Sequence, residues 1–470
     1  MKAIVFAQFF LYNVYFVIEQ KLLTMTWTRP IGWWIERIAN RTAQGIAVET
    51  AALIRSGALP VGSQLPPVRE LAEALGVSPA TISGAWSELR RYKVISGQGR
   101  NGVWVSGDKA SPRPQRFEFE FATAIGQHIV ADLSLAGPDT KLLPDLSRAM
   151  AAGLKAHNLN EYERAPILGE LEDTVRSVWP YGAESMVATN GGFEAIFLAL
   201  QALVQPGAVV AIEDPSASRI LDILEYLRAQ VIAVPRDNEG PDPEALRHAL
   251  KRKPSLFVFE PRTHATTGTA VSETRMEALA KVLEGTDTLV LEDDGLADAS
   301  SNPSVSLGRW LPAQTIHIVS YSKAFGPDLR VAVLSSTSEI AGRIQSFRNF
   351  GARWSSRILQ GAVAYMLKDE VALGQVQVAR LRYSERRAAL KTALLGRKVV
   401  THSQDGFCLW IPVESEQFAL LTMAARGIAV FPGSRFCISK RDAHIRVGIS
   451  RLTSDFDAVA DAIALATRLT

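Results

Sequence analysis

The sequence predicts two folded parts in one chain. An N-terminal winged helix-turn-helix of the α+β class precedes a larger α/β domain with a mainly parallel central sheet and a smaller C-terminal α+β subdomain. Three observations predict this. Two short amphipathic helices joined by a tight turn, then a glycine-rich hairpin, occupy residues 68–105. From Asp132 onward, short apolar β-rich runs alternate with helical stretches. The length of 470 residues corresponds to about three average domains, too long for one compact unit.

Composition narrows the class. Hydrophobic residues are 47% of the chain and charged residues 21%, which supports real cores and excludes a wholly disordered protein. The two cysteines, Cys408 and Cys437, cannot build a disulfide framework or a zinc-thiolate cluster, so a reducing, cytoplasmic compartment is expected. No His-Glu-x-x-His pattern or other cluster with metal-ligand spacing occurs, and no metal site is expected. Residues 25–109 hold ten Lys/Arg and six Asp/Glu, whereas residues 110–470 hold 39 and 41. A polyanion is therefore expected to meet the first segment.

Residues 1–24 stand apart. Ala3 to Ile18 is almost continuously apolar, broken by Gln8 and Asn13, and Lys2 in front makes it imitate a signal peptide. A membrane span needs about 20 apolar residues, and no small-residue cleavage site follows this shorter run. Met25 stands directly before an amphipathic stretch. The leader is therefore expected to be upstream or disordered sequence, with a working start near Met25 and no membrane partner. A short single-pass anchor is the alternative.

The basic module spans residues 25–107. Ile46 to Ile54 reads as the end of a helix stopped at Ser56-Gly57. Beyond a turn with Pro60 and Gly62, Val68, Leu71, Ala72 and Leu75 recur at i, i+3, i+4, i+7, one apolar face. Pro66 and Pro67 are tolerated there because the first helical turn does not need their N–H, and Gly76 suits a left-handed cap. Ser78 N-caps a second helix with Pro79 at its first position and Ile82, Ala85, Trp86 and Leu89 on its apolar face. The exposed Ala80, Thr81, Ser83 and Gly84 are small and polar, so this helix can approach base edges while hydroxyls reach phosphates. Arg90, Arg91 and Lys93 follow.

Gly97-Gln98-Gly99-Arg100-Asn101-Gly102 matches G-x-G-x-x-G. A dinucleotide-binding loop needs a helix directly after it and an acidic residue about 20 further on. Here only Val103-Trp104-Val105 and then a polar stretch follow. A β-hairpin wing with Arg100 at its tip fits instead. A small helical domain for protein contacts is the alternative reading of this module.

These residues resemble the winged-helix domain of the GntR family of bacterial transcription regulators. The resemblance rests on Pro60-Val61-Gly62, Leu65-Pro66-x-x-Arg69-x-Leu71-Ala72, Gly76-Val77-Ser78, Thr81, Ala85, Leu89 and the glycine wing. It implies a double-stranded DNA operator as partner, with Arg69 anchoring on DNA and the start of the second helix reading the major groove. The family's arginine after Val-Ser is Pro79 here. Ser78, Thr81, Ser83, Gly99, Arg100 and Gly102 are therefore the other DNA-contact candidates.

Residues 108–131, with Ser111, Pro112, Arg113 and Pro114, have no helical period and read as a linker. In the body, residues 132–470, the runs 209–212, 231–234, 256–259, 288–291 and 316–319 read as strands. Glu194 to Leu203 and Ser218 to Ala229 read as helices between some of them. Near-continuous apolar strands imply a mainly parallel sheet covered on both faces. Ligands of such sheets sit beyond the strand C-termini. Those loops carry Glu292-Asp293-Asp294, then Ser320-Tyr321-Ser322-Lys323 with Arg330 seven residues on, and Thr189-Asn190-Gly191-Gly192 leading into a helix. Pyridoxal 5′-phosphate needs this set. It takes a lysine amine for the imine, a carboxylate for the ring nitrogen, and an arginine, hydroxyls and a helix N-terminus for the phosphate.

Residues 133–470 resemble fold-type I aminotransferases, with the smaller subdomain expected at roughly 355–470. Gly137-Pro138-Asp139, Pro206-Gly207, Glu213-Asp214-Pro215, Thr267-Gly268, Ser320-x-Ser322-Lys323, Pro327-x-Leu329-Arg330 and Ile445-Arg446 carry the match. The resemblance implies Lys323 as the Schiff-base lysine and Asp293 as the ring-nitrogen partner. It places Arg330, Ser320, Ser322, Gly191 and Gly192 at the phosphate, and Arg446 on the carboxylate of a substrate or effector. A GntR winged helix joined to such a domain is the architecture of the MocR subfamily, and the wing and lysine loop are most similar to its PtsJ-like members, linked to vitamin B6 control. That likeness implies head-to-tail homodimers and a small-molecule effector: pyridoxal phosphate, an amine or an amino acid.

The chain departs from the enzymes at their ring contacts. The His-Asn-Pro-Thr-Gly loop is His264-Ala265-Thr266-Thr267-Gly268, and Gly295-Leu296 stands where a tyrosine is usual. Ala217 replaces the stacking aromatic, and Gly191-Gly192-Phe193 replaces Gly-Ser/Thr-Gln. His264 reads as a packed loop histidine. Two lost hydrogen bonds to a partly charged oxygen cost about 1.5–3 kcal/mol each, and a lost aromatic partner about 1 kcal/mol more. The expectation is therefore an effector-sensing domain with little or no turnover. An active aminotransferase with an attached DNA-binding domain, and a scaffold that has lost the cofactor and only dimerises, are the alternatives.

Overall fold

The computed structural model describes residues 29–55, 58–91, 94–97, 102–106, 114, 116, 129–162, 165–439 and 442–468. The predicted leader, most of the predicted linker, and the wing-tip candidates Gly99 and Arg100 lie outside the described residues. The chain divides into two compact units, residues 1–113 and 114–470.

The first unit has helices Ile31–Ile35, Ala43–Arg55, Val68–Leu75 and Pro79–Arg91. Its antiparallel three-stranded sheet has the order β1 (Gln64–Leu65), β3 (Val103–Val105), β2 (Ile95–Ser96). The apolar faces predicted from spacing meet in one core of Ile46, Leu71, Leu75, Ile82, Trp86 and Leu89, which Trp34 joins from the helix before them. Gly76 takes the left-handed conformation, φ 66°, and Val77 N–H returns to Ala72 O at 2.9 Å, closing the first helix. Ser78 Oγ accepts the Thr81 amide at 3.1 Å, opening the second. At the wing, a Cβ on Gly97 (φ 88°) would lie 2.4 Å from Gly102 O, so only glycine allows this hairpin to close. Helix Ile31–Ile35 and strand β1 are too short to show a period and were not anticipated.

In the second unit, β4 (Ala131–Asp132) precedes an eight-stranded mixed sheet. Its strands are β5 (Ser185–Thr189), β6 (Val209–Asp214), β7 (Gln230–Asp237), β8 (Gly240–Pro241), β9 (Leu256–Phe259), β10 (Leu289–Asp294), β11 (Thr315–Ser320) and β12 (Ala332–Ser336). Their order is β5-β12-β11-β10-β9-β6-β7-β8. The run β7, β6, β9, β10, β11 is parallel, and β12 is antiparallel to both its neighbours. Central strands are buried along their whole length, as sheets covered on both faces require. One face packs with Ile196, Ile220, Leu291 and Ile344, and part of the other with Leu171, Val319, Val333 and Val363.

The smaller subdomain holds the long helix Glu370–Gly396, strands β13 (Cys408–Pro412), β15 (Phe431–Pro432) and β16 (His444–Gly448) in the order β13-β16-β15, and helix Phe456–Ala466. It also takes in β4, which pairs parallel with β14 (Ile428–Ala429). Helix Arg357–Met366 packs instead into the core around the large sheet, because Ala362, Val363 and Met366 join Leu171 and Val333 there.

Trp86 is fully buried and edge-on to Trp34, ring centroids 6.3 Å apart. Trp86→Ala should cost about 3–5 kcal/mol. Amide exchange by mass spectrometry should quicken across residues 29–106 and stay unchanged across 129–468. Unaltered exchange in the first unit would contradict this packing.

Candidate functional site

Parallel strands β10 and β11 end side by side, with Asp293 opposite Ile318 and Asp294 opposite Val319. Alternation along β10 sends Asp293 to the face opposite Glu292 and Asp294. Beyond Ser320 the chain turns into the short helix Ser322–Phe325, which carries Lys323, and Gly326 (φ 122°) ends it. Arg330, left-handed at φ 46°, then leads into β12. The β11–β12 connection thus brings the amine and the guanidinium to the end of β10.

Asp293 is buried, which pushes its carboxyl up to about 6. The charge of Lys323 pulls it down against that burial, and Asp294 pushes it up further. The sequence-predicted lysine and carboxylate are therefore electrostatic neighbours.

At the start of helix Gly192–Leu203, Glu194 accepts the Asn190 amide and, at 2.8 Å, the Asn190 side chain. Arg330 Nη2 donates to Asn190 O at 3.1 Å. A Cβ on Gly191 (φ 92°) would sit 3.2 Å from the Arg330 guanidinium, and one on Gly192 would sit 3.0 Å from Ser320 Cβ. Ser320 is buried, and Ser322 Oγ is buried without a hydrogen-bond partner. Arg219, which spacing did not single out, lies over the Phe193 ring at 4.0 Å. Its ionisation is lowered by burial and then by Arg330. Two guanidiniums, two glycines, two hydroxyls and a helix N-terminus form a cradle for a polyanion.

Arg446 stands on β16 between the rings of Phe431 and Phe436, at 4.9 and 4.6 Å. Its Nη2 donates to Ser134 O at 2.8 Å, while Nε is buried without a hydrogen-bond partner. Cys408 on neighbouring β13 donates to Ala265 O at 3.1 Å, and the charges of both Arg446 and Lys323 reach its thiol. Where the enzymes place polar or aromatic ring contacts, Leu296 is buried in the apolar core of the smaller subdomain and Ala217 packs against the core beneath the sheet.

In the first unit, Arg69 lies exposed in the first turn of Val68–Leu75, and Ser78 and Ser83 are exposed at the start of Pro79–Arg91. Thr81 is half-buried. The Ser78 and Thr81 hydroxyls are paired at 2.8 Å, so Ser78 is engaged as a helix cap. Gly102 (φ 83°) closes the wing.

Residues 129–463 match the family of class I and II aminotransferases, and residues 42–105 match the gntR family of bacterial regulatory proteins. The chain belongs to the MocR-type regulators, in which a GntR helix-turn-helix is fused to an aminotransferase-like domain. It is 33% identical over 428 residues to the vitamin B6 salvage pathway transcriptional repressor PtsJ of Salmonella typhimurium, covering 88% of this chain and 96% of that protein. It is 25% identical over 352 residues to the pyridoxine biosynthesis transcriptional regulator PdxR of Corynebacterium glutamicum, covering 73% and 76%. Among solved structures, an aspartate aminotransferase variant from Thermus thermophilus matches with a TM-score of 0.66 at 22% identity, covering 77% of this chain and all of that one. The Pyrococcus horikoshii kynurenine aminotransferase matches at 0.65 and 19%, covering 75% and 95%. These structures establish the shared fold. The protein is a transcription regulator with an aminotransferase-like domain, in a fold family that binds pyridoxal phosphate. Among the described residues no helix is long and apolar enough to cross a membrane.

The residues present fit that cofactor. The glycine cradle, the unpartnered Ser322 hydroxyl and the arginine pair suit its phosphate, and buried Asp293 suits a protonated ring nitrogen.

Burial pushes the Cys408 thiol up to about 11, against the pull of Arg446 and Lys323. Ellman's reagent at pH 8 should therefore modify only the half-buried Cys437 in the native protein, and both thiols after unfolding. Two rapidly reacting native thiols would contradict the closed packing beside Arg446.

Proposed function

We propose that this regulator binds pyridoxal 5′-phosphate, or an adduct of it with an amine or amino acid, as its effector, and does so without turnover. The observation that carries this reading is the electrostatic coupling of Lys323 with buried Asp293, together with the Arg330 and glycine cradle. When bound, the cofactor supplies an aldehyde for the lysine amine and an electron-withdrawing ring. Lys323 would hold its aldehyde, Asp293 would face its ring nitrogen, and Arg330, Arg219, Ser320, Ser322, Gly191 and Gly192 would hold its phosphate. Arg446 takes a carboxylate. Ala265, Leu296 and Ala217 leave the ring hydroxyl and ring face without the contacts that tune the enzymes, so binding is retained and transamination is not.

DNA contact is assigned to Arg69, Ser78, Thr81, Ser83, Arg100 and the glycine wing with Gly99 and Gly102. A head-to-tail homodimer presents two winged helices to two half-sites. The effector acts by favouring one dimer arrangement over another. The printed names of PtsJ and PdxR support vitamin B6 metabolism as the regulated process. The modest cysteine usage supports a cytoplasmic location.

Added pyridoxal 5′-phosphate should produce a visible absorption band in the wild-type protein that is lost in Lys323→Ala. Arg330→Ala should weaken binding about 10-fold or more, since a hydrogen bond to a charged group contributes about 1.5–3 kcal/mol. No band at excess cofactor would favour the dimerisation scaffold, and keto-acid release from an amino acid would favour an enzyme. Arg69→Ala and Thr81→Ala should weaken operator binding and leave the band unchanged. Unaltered DNA affinity at moderate salt would refute this reading surface.

A further inference from the structure

Four buried ionisable groups near Asp293 have no part in the effector contacts above. Glu213 lies near the end of β6, Arg236 is on β7, Glu260 follows β9, and His264 sits in the loop beyond it; all four are buried. Arg236 Nε is 3.2 Å from Glu213 Oε2. Glu213 Oε1 accepts the Glu260 amide at 2.6 Å, and Glu260 Oε2 accepts the Ala265 amide at 2.7 Å. His264 Nε2 lies 3.7 Å from Glu213 Oε1 and 3.6 Å from Glu260 Oε1. Glu260 Oε1 and His264 Nε2 are buried with no hydrogen-bond partner.

Among the described residues, Glu213, Glu260 and His264 are grouped closely enough to be considered as metal ligands. The histidine's hydrogen bonds argue otherwise. Thr267 N–H donates to His264 Nδ1 at 3.1 Å, so Nδ1 is an acceptor and the neutral ring carries its hydrogen on Nε2. Burial holds His264 well below the usual histidine range, so the ring is neutral. The atom facing both carboxyls is thus an N–H, which repels a cation, and at 3.6 and 3.7 Å it stands near both oxygens without a hydrogen bond to either.

Charge decides what the carboxyls do. Glu213, Glu260 and Asp293 act on one another and are faced by two cations, Arg236 and Lys323. Asp214 adds to the repulsion on Glu213, and its carboxylate is held by the amides of Ile438 and Ser439 and the Ser439 hydroxyl. Asp237 and Arg275 act on Arg236, Asp294 and His317 act on Asp293, and Cys408 lies within electrostatic reach of Glu260. Among the groups of the cluster itself, Glu213, Glu260 and Asp293 outnumber Arg236 and Lys323, and burial favours taking up a proton over keeping the excess negative charge. Burial pushes Glu213 up to about 7, and burial, then Asp293 and Glu213, raise Glu260.

We propose that Glu213 and Glu260, which flank the neutral ring of His264, form a buried proton store beside Asp293 that empties when a cationic ring or amine seats against Asp293. The positive charge arrives with the ligand, and the proton leaves a carboxyl for solvent. This inference rests on the effector reading above and adds proton release to it, so ligand affinity strengthens as pH rises toward 7.

The test is calorimetric titration of the full-length protein with pyridoxal 5′-phosphate at pH 6.5, in two buffers of different ionisation enthalpy. Wild type should release up to about one proton more than Glu260→Gln, because protonation changes of the ligand and Lys323 are common to both. Equal proton counts would overturn the proposal. If Glu260→Gln does not fold, Glu213→Gln serves the same comparison. If wild type binds no cofactor, the effector reading falls, and ligand-free melting curves still test the store. Between about pH 4.5 and 7 the native carboxyls keep a proton that unfolded ones have lost. Stability should therefore fall as pH rises through that window, and less steeply in the Gln variant. Parallel curves would overturn the store.

Discussion

A carboxylate and an amine brought into electrostatic reach at the end of a parallel sheet organise the aminotransferase-like domain. Asp293 is buried near the end of strand β10, and the charge of Lys323 pulls its carboxyl down against that burial. Strands covered on both faces leave only their ends for polar chemistry. The β11–β12 connection supplies Lys323 and Arg330 from one short stretch, and the β5 loop brings Gly191 against Arg330 and Gly192 against Ser320. The result has acid at one end and two arginines at the other, which matches a ligand cationic at its ring and anionic at its phosphate.

The same sheet explains why an enzyme fold can serve a regulator. The groups proposed as cofactor anchors lie on the β10 and β11 ends and the glycine turn. The groups that would tune its ring belong to positions now filled by Ala217, Ala265 and Leu296, and Leu296 is committed to the apolar core. On the proposed reading, holding and reacting are carried by different positions. The winged helix obeys its own local physics: a left-handed Gly76, a capping Ser78 and a core centred on Trp34 and Trp86.

Much of this was legible in the sequence where the signal is local. The spacing of Val68, Leu71 and Leu75, and of Ile82, Ala85 and Leu89, marks two helices. The apolar runs mark β6, β7, β9, β10 and β11, and Asp293, Lys323 and Arg330 stand at the predicted strand ends. Strands β5 (Ser-Met-Val-Ala-Thr) and β12 (Ala-Val-Leu-Ser-Ser) escaped because small and hydroxylated residues dilute their apolar signal. Arg219 carries no motif; only folding sets it beside Arg330. The quartet of Glu213, Arg236, Glu260 and His264 comes from separate strand ends and loops, so no spacing announces it. Ser78 was legible as both cap and DNA contact, and its hydrogen bonds show the cap.

The most direct measurement is chemical. The protein is incubated with pyridoxal 5′-phosphate, reduced with borohydride, digested and mapped by mass spectrometry. The account predicts one stoichiometric phosphopyridoxyl addition, on Lys323. A label scattered over surface lysines with Lys323 unmodified would contradict it.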